Sequence, residues 1–278
     1  MIPASFDYEV AESTEHAVSL LGSREDAKLL AGGHSLIPLL RLRFSRPSLL
    51  VDIGRIGQLS YVRDAGEWLA IGALTRYKAL RDDPLIQEHC PIVSHTAGLV
   101  GDPQVRHRGT IGGSLAHCDP ASDMPAVILA LGAELVIVGA NGERTVPAAE
   151  FFRGVFESAV GPEEMLTEIR VPKPGAWTGW SYLKFTRRAQ DWATVGVAAL
   201  VRRENGGVGD ARVTLTNMGA IPLRATATEN AIVAGEDDPA RHVAEGTAPP
   251  SDTAASAEFR AHLARVVGRR AIEEAMLR

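Results

Sequence analysis

The amino-acid sequence predicts an α+β protein with two domains. Short stretches that alternate apolar and polar residues, as strands do, are interspersed with stretches that repeat apolar residues at helical spacing. The chain has 278 residues, a length that suits two domains or one large one. Pro172-Lys173-Pro174-Gly175 is the best candidate boundary, because prolines and glycine interrupt both patterns there. We therefore expect domains at residues 1–173 and 174–278.

The N-terminal part of the first domain is predicted to contain short helices and strands. Ser13 is a good N-cap for a first helix, which Gly22 ends. The segments that follow are a strand at 28–31, a helix at 36–43 and a strand at 48–53.

The rest of the first domain begins with a predicted β-hairpin at 59–72, turning at Asp64-Ala65-Gly66. Thr75 is expected to cap a short helix that ends before Pro84. The later segments are a helix at 85–100 interrupted near Pro91, a helix at 123–131, and strands at 134–138, 144–146 and 165–171.

The second domain is predicted to place three strands before its helices, an order that favours an antiparallel sheet with helices on it. We expect the last helix to divide around Gly268. The strands are predicted at 180–186, 195–202 and 211–216, and the helices at 225–234 and 258–276.

The composition is that of an ordinary globular protein, with 45% hydrophobic and 23% charged residues. The formal net charge of -5 gives no general attraction to nucleic acid. The most apolar run, 126–140, contains Glu134 and is shorter than the roughly 20 residues of a membrane span. Only Cys90 and Cys118 are present, which favours a reducing compartment, so we expect a cytoplasmic protein.

Two glycine-rich stretches carry the strongest functional signal: Ala31-Gly32-Gly33-His34-Ser35-Leu36, and Gly101–Asp123, which contains Thr110-Ile111-Gly112-Gly113-Ser114. Paired glycines let the backbone approach a ligand closely, and consecutive amides suit a phosphate. The second stretch follows neither a helix nor a strand pattern, so we expect a loop there. Two such loops suggest one ligand with two phosphates held between them, although either pair alone equally suits an ordinary turn.

Two common nucleotide-binding motifs are missing from the sequence. Gly207-Val208-Gly209 has Arg212 where the dinucleotide fingerprint needs its third glycine, and no Gly-Lys-Ser/Thr occurs. A Rossmann domain is therefore disfavoured. No Ser–His–Asp arrangement, pair of catalytic carboxylates or activated cysteine stands out either, so we predict no catalytic residue in this chain.

The two stretches together, A-G-G-H-S-L and T-I-G-G-S-L-A-H-x-D-P-x-S-D, resemble the FAD-binding medium subunit of the molybdenum hydroxylases. The nearest branches in pattern are aerobic carbon monoxide dehydrogenase and xanthine dehydrogenase, and the resemblance covers nearly the whole chain. It implies a two-lobed FAD-binding domain of the vanillyl-alcohol-oxidase (PCMH) type, with lobes at about 1–56 and 57–173, and a C-terminal three-stranded antiparallel sheet with helices. Cys118 replaces the family's usual Ala and His107 a more usual Asn, which leaves the phosphate donors in place but adds a thiol near the flavin.

The resemblance also implies which residues hold FAD. It places Lys184 near the flavin ring, where a cation would stabilise a reduced, anionic flavin. It places Trp192 near the ring system and Asp123 on the sugar-like chain, although a solvated lysine, an interface tryptophan and a helix N-cap are ordinary alternatives. The expected FAD-binding residues are Leu29, Leu30, Ala31, Gly32, Gly33, His34, Ser35, Leu36, Gly101, Thr110, Ile111, Gly112, Gly113, Ser114, His117, Asp123, Leu166, Lys184 and Trp192.

His34 and His117 are expected to contact FAD and not a metal. No other His or Cys stands at a spacing compatible with a metal site. We therefore predict no metal ion in this chain.

The function implied by the resemblance is electron transfer in a heterotrimer. A large subunit would carry the molybdopterin cofactor, and a small subunit would carry two [2Fe–2S] clusters. This chain would take their electrons on FAD and pass them to quinone, NAD or oxygen. Its two cysteines are fewer than the four that usually hold a cluster.

Two other functions remain open at this point. One is a stand-alone FAD-dependent oxidase or dehydrogenase of a small substrate, which would need a general base near the flavin. The other is a non-catalytic nucleotide-binding scaffold, which would bind no yellow cofactor.

Overall fold

The structure is a computed structural model that describes residues 2–173, 179–204 and 206–278. Its helices are α1 Thr14–Gly22, α2 Leu36–Leu42, α3 Tyr77–Asp82, α4 Pro84–His89, α5 Pro91–Leu99, α6 Pro103–Arg108, α7 Ile111–His117, α8 Asp123–Leu131, α9 Ala148–Phe151, α10 Thr226–Val233 and α11 Ala257–Leu277. Its strands are β1 Asp7–Val10, β2 Lys28–Leu30, β3 Leu49–Asp52, β4 Val62–Ala65, β5 Trp68–Gly72, β6 Glu134–Gly139, β7 Gly142–Pro147, β8 Phe152–Gly154, β9 Glu157–Ser158, β10 Met165–Pro172, β11 Gly179–Phe185, β12 Val195–Glu204, β13 Gly207–Thr216 and β14 Leu223–Arg224.

The first lobe is a three-stranded parallel sheet in the order β1-β3-β2. Ser13 caps α1, as expected, by accepting the amide of His16 at 3.1 Å. Ala17, Val18 and Leu21 of α1 are buried in the core of this lobe. At the end of β2 the chain enters the first pair of glycines and then α2.

The second lobe is a five-stranded antiparallel sheet in the order β4-β5-β10-β6-β7. The hairpins expected at 59–72 and around Asn141-Gly142 are both present. The expected long helix at 85–100 is divided at Cys90 into α4 and α5, next to the predicted break at Pro91. Ile71 and Ile169, on adjacent strands, are fully buried in the core of this lobe.

The stretch from Gly101 to Asp123 is more helical than the sequence indicated, and the expectation of a loop was wrong. It forms α6, α7 and the start of α8. Asp102 caps α6 by accepting the amide of Val105 at 2.9 Å, and Thr110 caps α7 by accepting the amide of Gly113 at 3.2 Å. These caps satisfy amides at helix starts, and they offset the low helix propensity of glycine.

Two predicted helix caps were also wrong. The N-cap of α3 is Arg76, whereas the Thr75 hydroxyl donates to the carbonyl oxygen of Tyr61 at 2.9 Å. The N-cap of α8 is Ser122, and Asp123 is the first helical residue. Both side chains have tertiary partners instead, which a local pattern does not reveal.

The C-terminal sheet is antiparallel, but it has four strands in the order β11-β12-β13-β14 instead of the three expected. The additional strand, β14, is two residues long and pairs with Thr214 and Leu215 of β13. A strand this short leaves no periodic pattern in the sequence. The boundary residues Pro174 and Gly175 lie outside the described residues, so the domain limits remain a prediction. The sequence Asn205-Gly206-Gly207 predicts a turn between the second and third strands of this domain, and its first residue, Asn205, also lies outside the described residues.

Helix α11 is continuous over 21 residues, so the expected break at Gly268 was wrong. Gly268 is fully inside the helix and faces Val243, whose Cγ2 would lie 2.8 Å from a Cβ at this position. Gly268 therefore allows the helix to pack closely on Val243, and the helix continues past it.

Helix α8 joins the first two lobes to the C-terminal sheet. The hydroxyl of Thr214 donates to the carbonyl oxygen of Ala126 at 2.7 Å, and the guanidinium of Arg212 donates to that of Ala130 at 2.9 Å. Both donors lie on β13. The C-terminal sheet thus holds the helix whose first residue is Asp123.

Candidate functional site

A cavity with a volume of about 890 Å³ is lined by both lobes and by the segment at 190–192, which connects two strands of the C-terminal sheet. Residues 27–36 form one wall, and residues 100–123 form another. A volume of this size is within the range of small-molecule and cofactor sites.

The first glycine segment, Gly32–Ser35, presents backbone amides to this cavity. Among the described residues, none supplies an acceptor for the amides of its four members. Gly33 has φ +77, a left-handed conformation that favours glycine. Gly32 packs so closely on the carbonyl oxygen of Arg108 that a Cβ at Gly32 would overlap with it. The segment is therefore a row of donors on a tightly constrained backbone.

The second glycine segment, Thr110–Ser114, is built differently. The amide of Gly112 donates to the carbonyl oxygen of Ala73 at 2.9 Å, and the amide of Gly113 donates to the hydroxyl of Thr110 at 3.2 Å. These amides are already bonded, so the expectation of two equivalent amide loops was wrong. What this segment offers to the cavity is hydroxyl groups, including that of Ser114, which lies 2.8 Å from the Ser122 hydroxyl.

Asp123 lines the cavity and is held by two residues of β11. The Tyr182 hydroxyl donates to Oδ1 at 2.7 Å, and Lys184 Nζ donates to Oδ2 at 2.9 Å. The side chains of Lys184 and Asp123 are each 6% exposed, so this is a buried ion pair. Burial raises the pKa of Asp123, and the charge of Lys184 and the two hydrogen bonds act in the opposite direction.

Tyr182 was not among the residues expected from the sequence. It is fully buried, and burial raises the pKa of its phenol well above the ordinary value. One signal could have identified it: residues two apart on a strand share a face, so Tyr182 lies on the same face of β11 as Lys184.

Tyr77 is a second residue that the sequence did not single out. Its side chain lines the cavity and is 3% exposed, and its hydroxyl lies near Ser114 without forming a hydrogen bond of normal geometry among the described residues. A buried hydroxyl without a partner is destabilising, so a polar ligand in the cavity would satisfy it.

Most of the expected residues do line the cavity, and three of them do not. Leu30 and Ile111 pack away from it, and Lys184 lies behind Asp123. Trp192 is 73% exposed at the rim. The expected residues that line the cavity are Leu29, Ala31, Gly32, Gly33, His34, Ser35, Leu36, Gly101, Thr110, Gly112, Gly113, Ser114, His117, Asp123, Leu166 and Trp192.

The two histidines of the cavity differ in their surroundings. His34 is exposed, whereas His117 is half-buried beside Phe156, with 4.9 Å between ring centroids. Burial lowers the pKa of His117 below its ordinary value. Within the described ranges, no three His, Cys, Asp or Glu side chains are grouped as a metal ion requires.

Comparison with known proteins identifies the family. A model of the FAD binding domain in molybdopterin dehydrogenase matches residues 4–174, and a model of the CO dehydrogenase flavoprotein C-terminal domain matches residues 180–275. The chain belongs to the FAD-binding medium subunits of the molybdenum hydroxylases. As a medium subunit it is part of an oxidoreductase, and the expected α+β architecture is confirmed.

Individual medium subunits are similar over most of their length. The carbon monoxide dehydrogenase medium chain of Hydrogenophaga pseudoflava is 45% identical over 225 residues, which cover 81% of this chain and 78% of that one. The 6-hydroxypseudooxynicotine dehydrogenase complex subunit alpha of Paenarthrobacter nicotinovorans is 40% identical, with coverage of 100% and 97%. A structure of carbon monoxide dehydrogenase from H. pseudoflava matches with a TM-score of 0.96 and 41% identity, covering 100% of this chain and 99% of that one.

The residues of the cavity fit the cofactor of a medium subunit. The first glycine segment supplies donors for a diphosphate, and the Tyr77 hydroxyl has room for a polar partner. Gly33, Gly112 and Gly113 line the cavity. No helix in the described part of the medium subunit is long and apolar enough to span a bilayer.

Proposed function

We propose that the chain takes electrons from [2Fe–2S] clusters of a partner subunit and passes them through FAD to an external acceptor, such as quinone, NAD or oxygen. The observation that carries the proposal is the first glycine segment at the wall of an 890 Å³ cavity, with four successive amides that have no acceptor among the described residues. Amides in that arrangement suit a diphosphate. The similar proteins support the proposal, because they are named as chains of dehydrogenases.

In this proposal, different residues of the cavity bind different parts of FAD. The first glycine segment and the Ser114 hydroxyl donate to the diphosphate, while Asp123 accepts from the hydroxyls of the sugar-like chain. Leu166 and the rim residue Trp192 pack against the ring system. When bound, FAD supplies chemistry that accepts and releases one or two electrons.

The buried ion pair has a positioning role in this proposal. Lys184 does not line the cavity, so its charge acts through Asp123, where it favours the ionised carboxylate against the effect of burial. Tyr182 fixes the other carboxylate oxygen, so the orientation of Asp123 is set from both sides. The carboxylate oxygens of Asp123 are therefore held in position before the cofactor binds.

The proposed partners are a large subunit with the molybdopterin cofactor and a small subunit with two [2Fe–2S] clusters. Cys90 and Cys118 of this chain are both buried, free thiols, whereas a [2Fe–2S] cluster is held by four cysteines. Free thiols also favour a reducing compartment, so we place the complex in the cytoplasm.

The decisive experiment compares the purified chain with the complex obtained by co-expression with its neighbouring genes. We expect the chain to show a flavin absorption spectrum, and acid precipitation to release that flavin into the supernatant. The complex should contain molybdenum, iron and flavin, and the reducing substrate should bleach its flavin. The isolated chain should retain FAD without bleaching when carbon monoxide, purines or aldehydes are added.

Two results would contradict the proposal, and each favours another function. Rapid bleaching in the isolated chain by a small substrate would indicate a stand-alone oxidase or dehydrogenase. A protein that stays colourless after incubation with FAD, alone and in the complex, would indicate a scaffold. As an internal control, Asp123→Asn should weaken FAD retention, because the variant loses the ion pair with Lys184 and an acceptor for the cofactor.

A further inference from the structure

A second, smaller cavity of about 260 Å³ lies beside the FAD-binding cavity. Gly32 and Thr110 belong to the walls of both cavities. Three arginines from separate parts of the chain line the smaller one: Arg55 follows β3, Arg76 precedes α3, and Arg108 ends α6. The fold therefore brings three cations to one concave surface.

These arginines have no anionic partner within the described chain. None of their guanidinium groups makes a side-chain hydrogen bond or lies within 4 Å of a carboxylate there. Asp52 also lines the cavity, but its Oδ1 accepts the amide of Gly54 at 2.7 Å and its Oδ2 accepts the Tyr8 hydroxyl. Asp52 offsets one of the three positive charges, so the lining of the cavity keeps a net positive charge.

Some arginines on the surface have a carboxylate partner: Arg63 lies 2.8 Å from a carboxylate oxygen of Glu168. Others, such as Arg153 and Arg265, form no ion pair within the described chain. What distinguishes Arg55, Arg76 and Arg108 is that they line one concave surface. Like charges that share a concave surface repel one another, and the field between them attracts a counter-ion.

We propose that the smaller cavity binds a tetrahedral oxyanion, inorganic phosphate or sulfate. Guanidinium groups match the oxygen atoms of such an ion with paired, charge-assisted hydrogen bonds. The volume of 260 Å³ is below the roughly 300 Å³ at which pockets begin to hold drug-sized ligands, which favours a small ion. None of the three arginines belongs to the proposed FAD contacts, although Ala31, Gly32 and Thr110 line both cavities.

The test uses the full chain loaded with FAD, because the cofactor's own diphosphate then fills the larger cavity. Inorganic phosphate is titrated by isothermal calorimetry at an ionic strength held constant with sodium chloride. We expect saturable binding of one phosphate per chain. Arg76→Gln and Arg108→Gln should each weaken it at least about tenfold, the effect of losing one charge-assisted hydrogen bond. Arg265→Gln, a change at an exposed arginine of α11 away from the cavity, should leave it unchanged.

A second measurement does not depend on the calorimetric signal. Phosphate that binds only the folded chain raises the unfolding temperature above that in chloride of equal ionic strength. This rise should disappear in Arg55→Gln and persist in Arg265→Gln. Flavin absorbance of each sample shows whether FAD is bound. A protein without FAD would contradict the proposed function, whereas a protein with FAD that does not bind phosphate would contradict only the oxyanion site.

Three outcomes would overturn the oxyanion site. They are the absence of saturable phosphate binding in flavin-loaded protein, equal affinity in the cavity variants and Arg265→Gln, and tighter binding of adenosine monophosphate than of phosphate. The last would show that the cavity recognises a nucleotide. Equal binding of phosphate and sulfate supports the proposal.

Discussion

The first and second glycine segments carry the same Gly-Gly pair and face the same cavity, yet their backbone amides differ. Those of Gly32 and Gly33 have no acceptor within the described chain, whereas those of Gly112 and Gly113 donate to Ala73 and Thr110. The first segment is suited to bind a ligand through its backbone. The second is suited to bring α7 against β5 and its following turn. A shared motif therefore does not imply a shared physical role.

The largest effect is expected from Gly112→Val. A Cβ at this position would lie 2.6 Å from the carbonyl oxygen of Ala73, and backbone cannot move aside as a side chain can. We expect a loss of roughly 3 kcal/mol in the free energy of unfolding, measured by urea denaturation without FAD. Gly57→Val is the control, because a Cβ at Gly57 meets nothing within 4 Å. Equal losses in both variants would mean that close approach is not what Gly112 provides.

Gly113→Val should affect FAD more than stability. The added Cβ would lie 2.8 Å from the Thr110 hydroxyl oxygen and 3.8 Å from the Cβ of Ala31, so it projects between two residues of the cavity wall. Loss of the cap lowers the unfolding free energy by about 1 kcal/mol, and we expect FAD retention to be lost. Thr110→Val removes the same cap without adding atoms at Gly113. If both variants release FAD equally, the cap and not the space at Gly113 is required.

Gly33→Ala tests the first segment. Its φ of +77 is strained for alanine, which costs about 1 kcal/mol, and the shifted turn should bind FAD more weakly. Gly66→Ala is a matched control, since Gly66 has φ +76 and open space around it, in a hairpin turn away from the cavity. A Cβ at Gly33 would also lie 2.6 Å from Cδ1 of Ile37, so we expect a somewhat larger loss of stability than in Gly66→Ala, measured by urea unfolding. Weaker FAD binding is expected only in Gly33→Ala. Unchanged FAD affinity in Gly33→Ala would remove the main support for a diphosphate on the first segment.

The smallest expected effect is the pH dependence of the free energy of unfolding that comes from His117. Burial lowers the pKa of His117, the last residue of α7, so the folded chain takes up its proton less readily than the unfolded chain. Stability is therefore highest above the ordinary pKa of about 6.5 and declines as the pH falls below it. Urea unfolding of the FAD-free chain between pH 5 and 7 should show this slope, and His117→Gln should reduce it. A slope of the same size in His117→Gln would assign the effect to another group.

The sequence was informative where a structural signal is local. Ser13 capped the first helix as expected, and the hairpin around Asp64-Ala65-Gly66 formed where its turn residues indicated. Thr75 and Gly268 show the limit of local signals. The Thr75 hydroxyl donates to the backbone of Tyr61, and the missing side chain of Gly268 makes room for Val243. Both contacts involve another part of the chain. The residues next to Thr75 and Gly268 in the sequence do not indicate these partners.

The cofactor site shows the same contrast between local sequence signals and contacts with distant residues. Most residues expected around FAD line the cavity, because glycines and hydroxyls in a recognisable order belong to a family motif. Lys184 was expected beside the flavin, and it lies behind Asp123. Tyr182 was missed although its spacing from Lys184 places both on one face of β11. Tyr77 was missed because nothing in the sequence distinguishes it from an ordinary core tyrosine.

The family, the class of cofactor and the approximate order of helices and strands follow from the linear chain, because each depends on residues close together in it. Which amides are left without an acceptor depends on the folded molecule. Gly32 packs on Arg108, and Gly112 donates to Ala73, and neither pair is close in sequence. Hydrogen bonds and close contacts are satisfied in three dimensions, so identical glycine pairs acquired different roles only when the chain brought different partners to them.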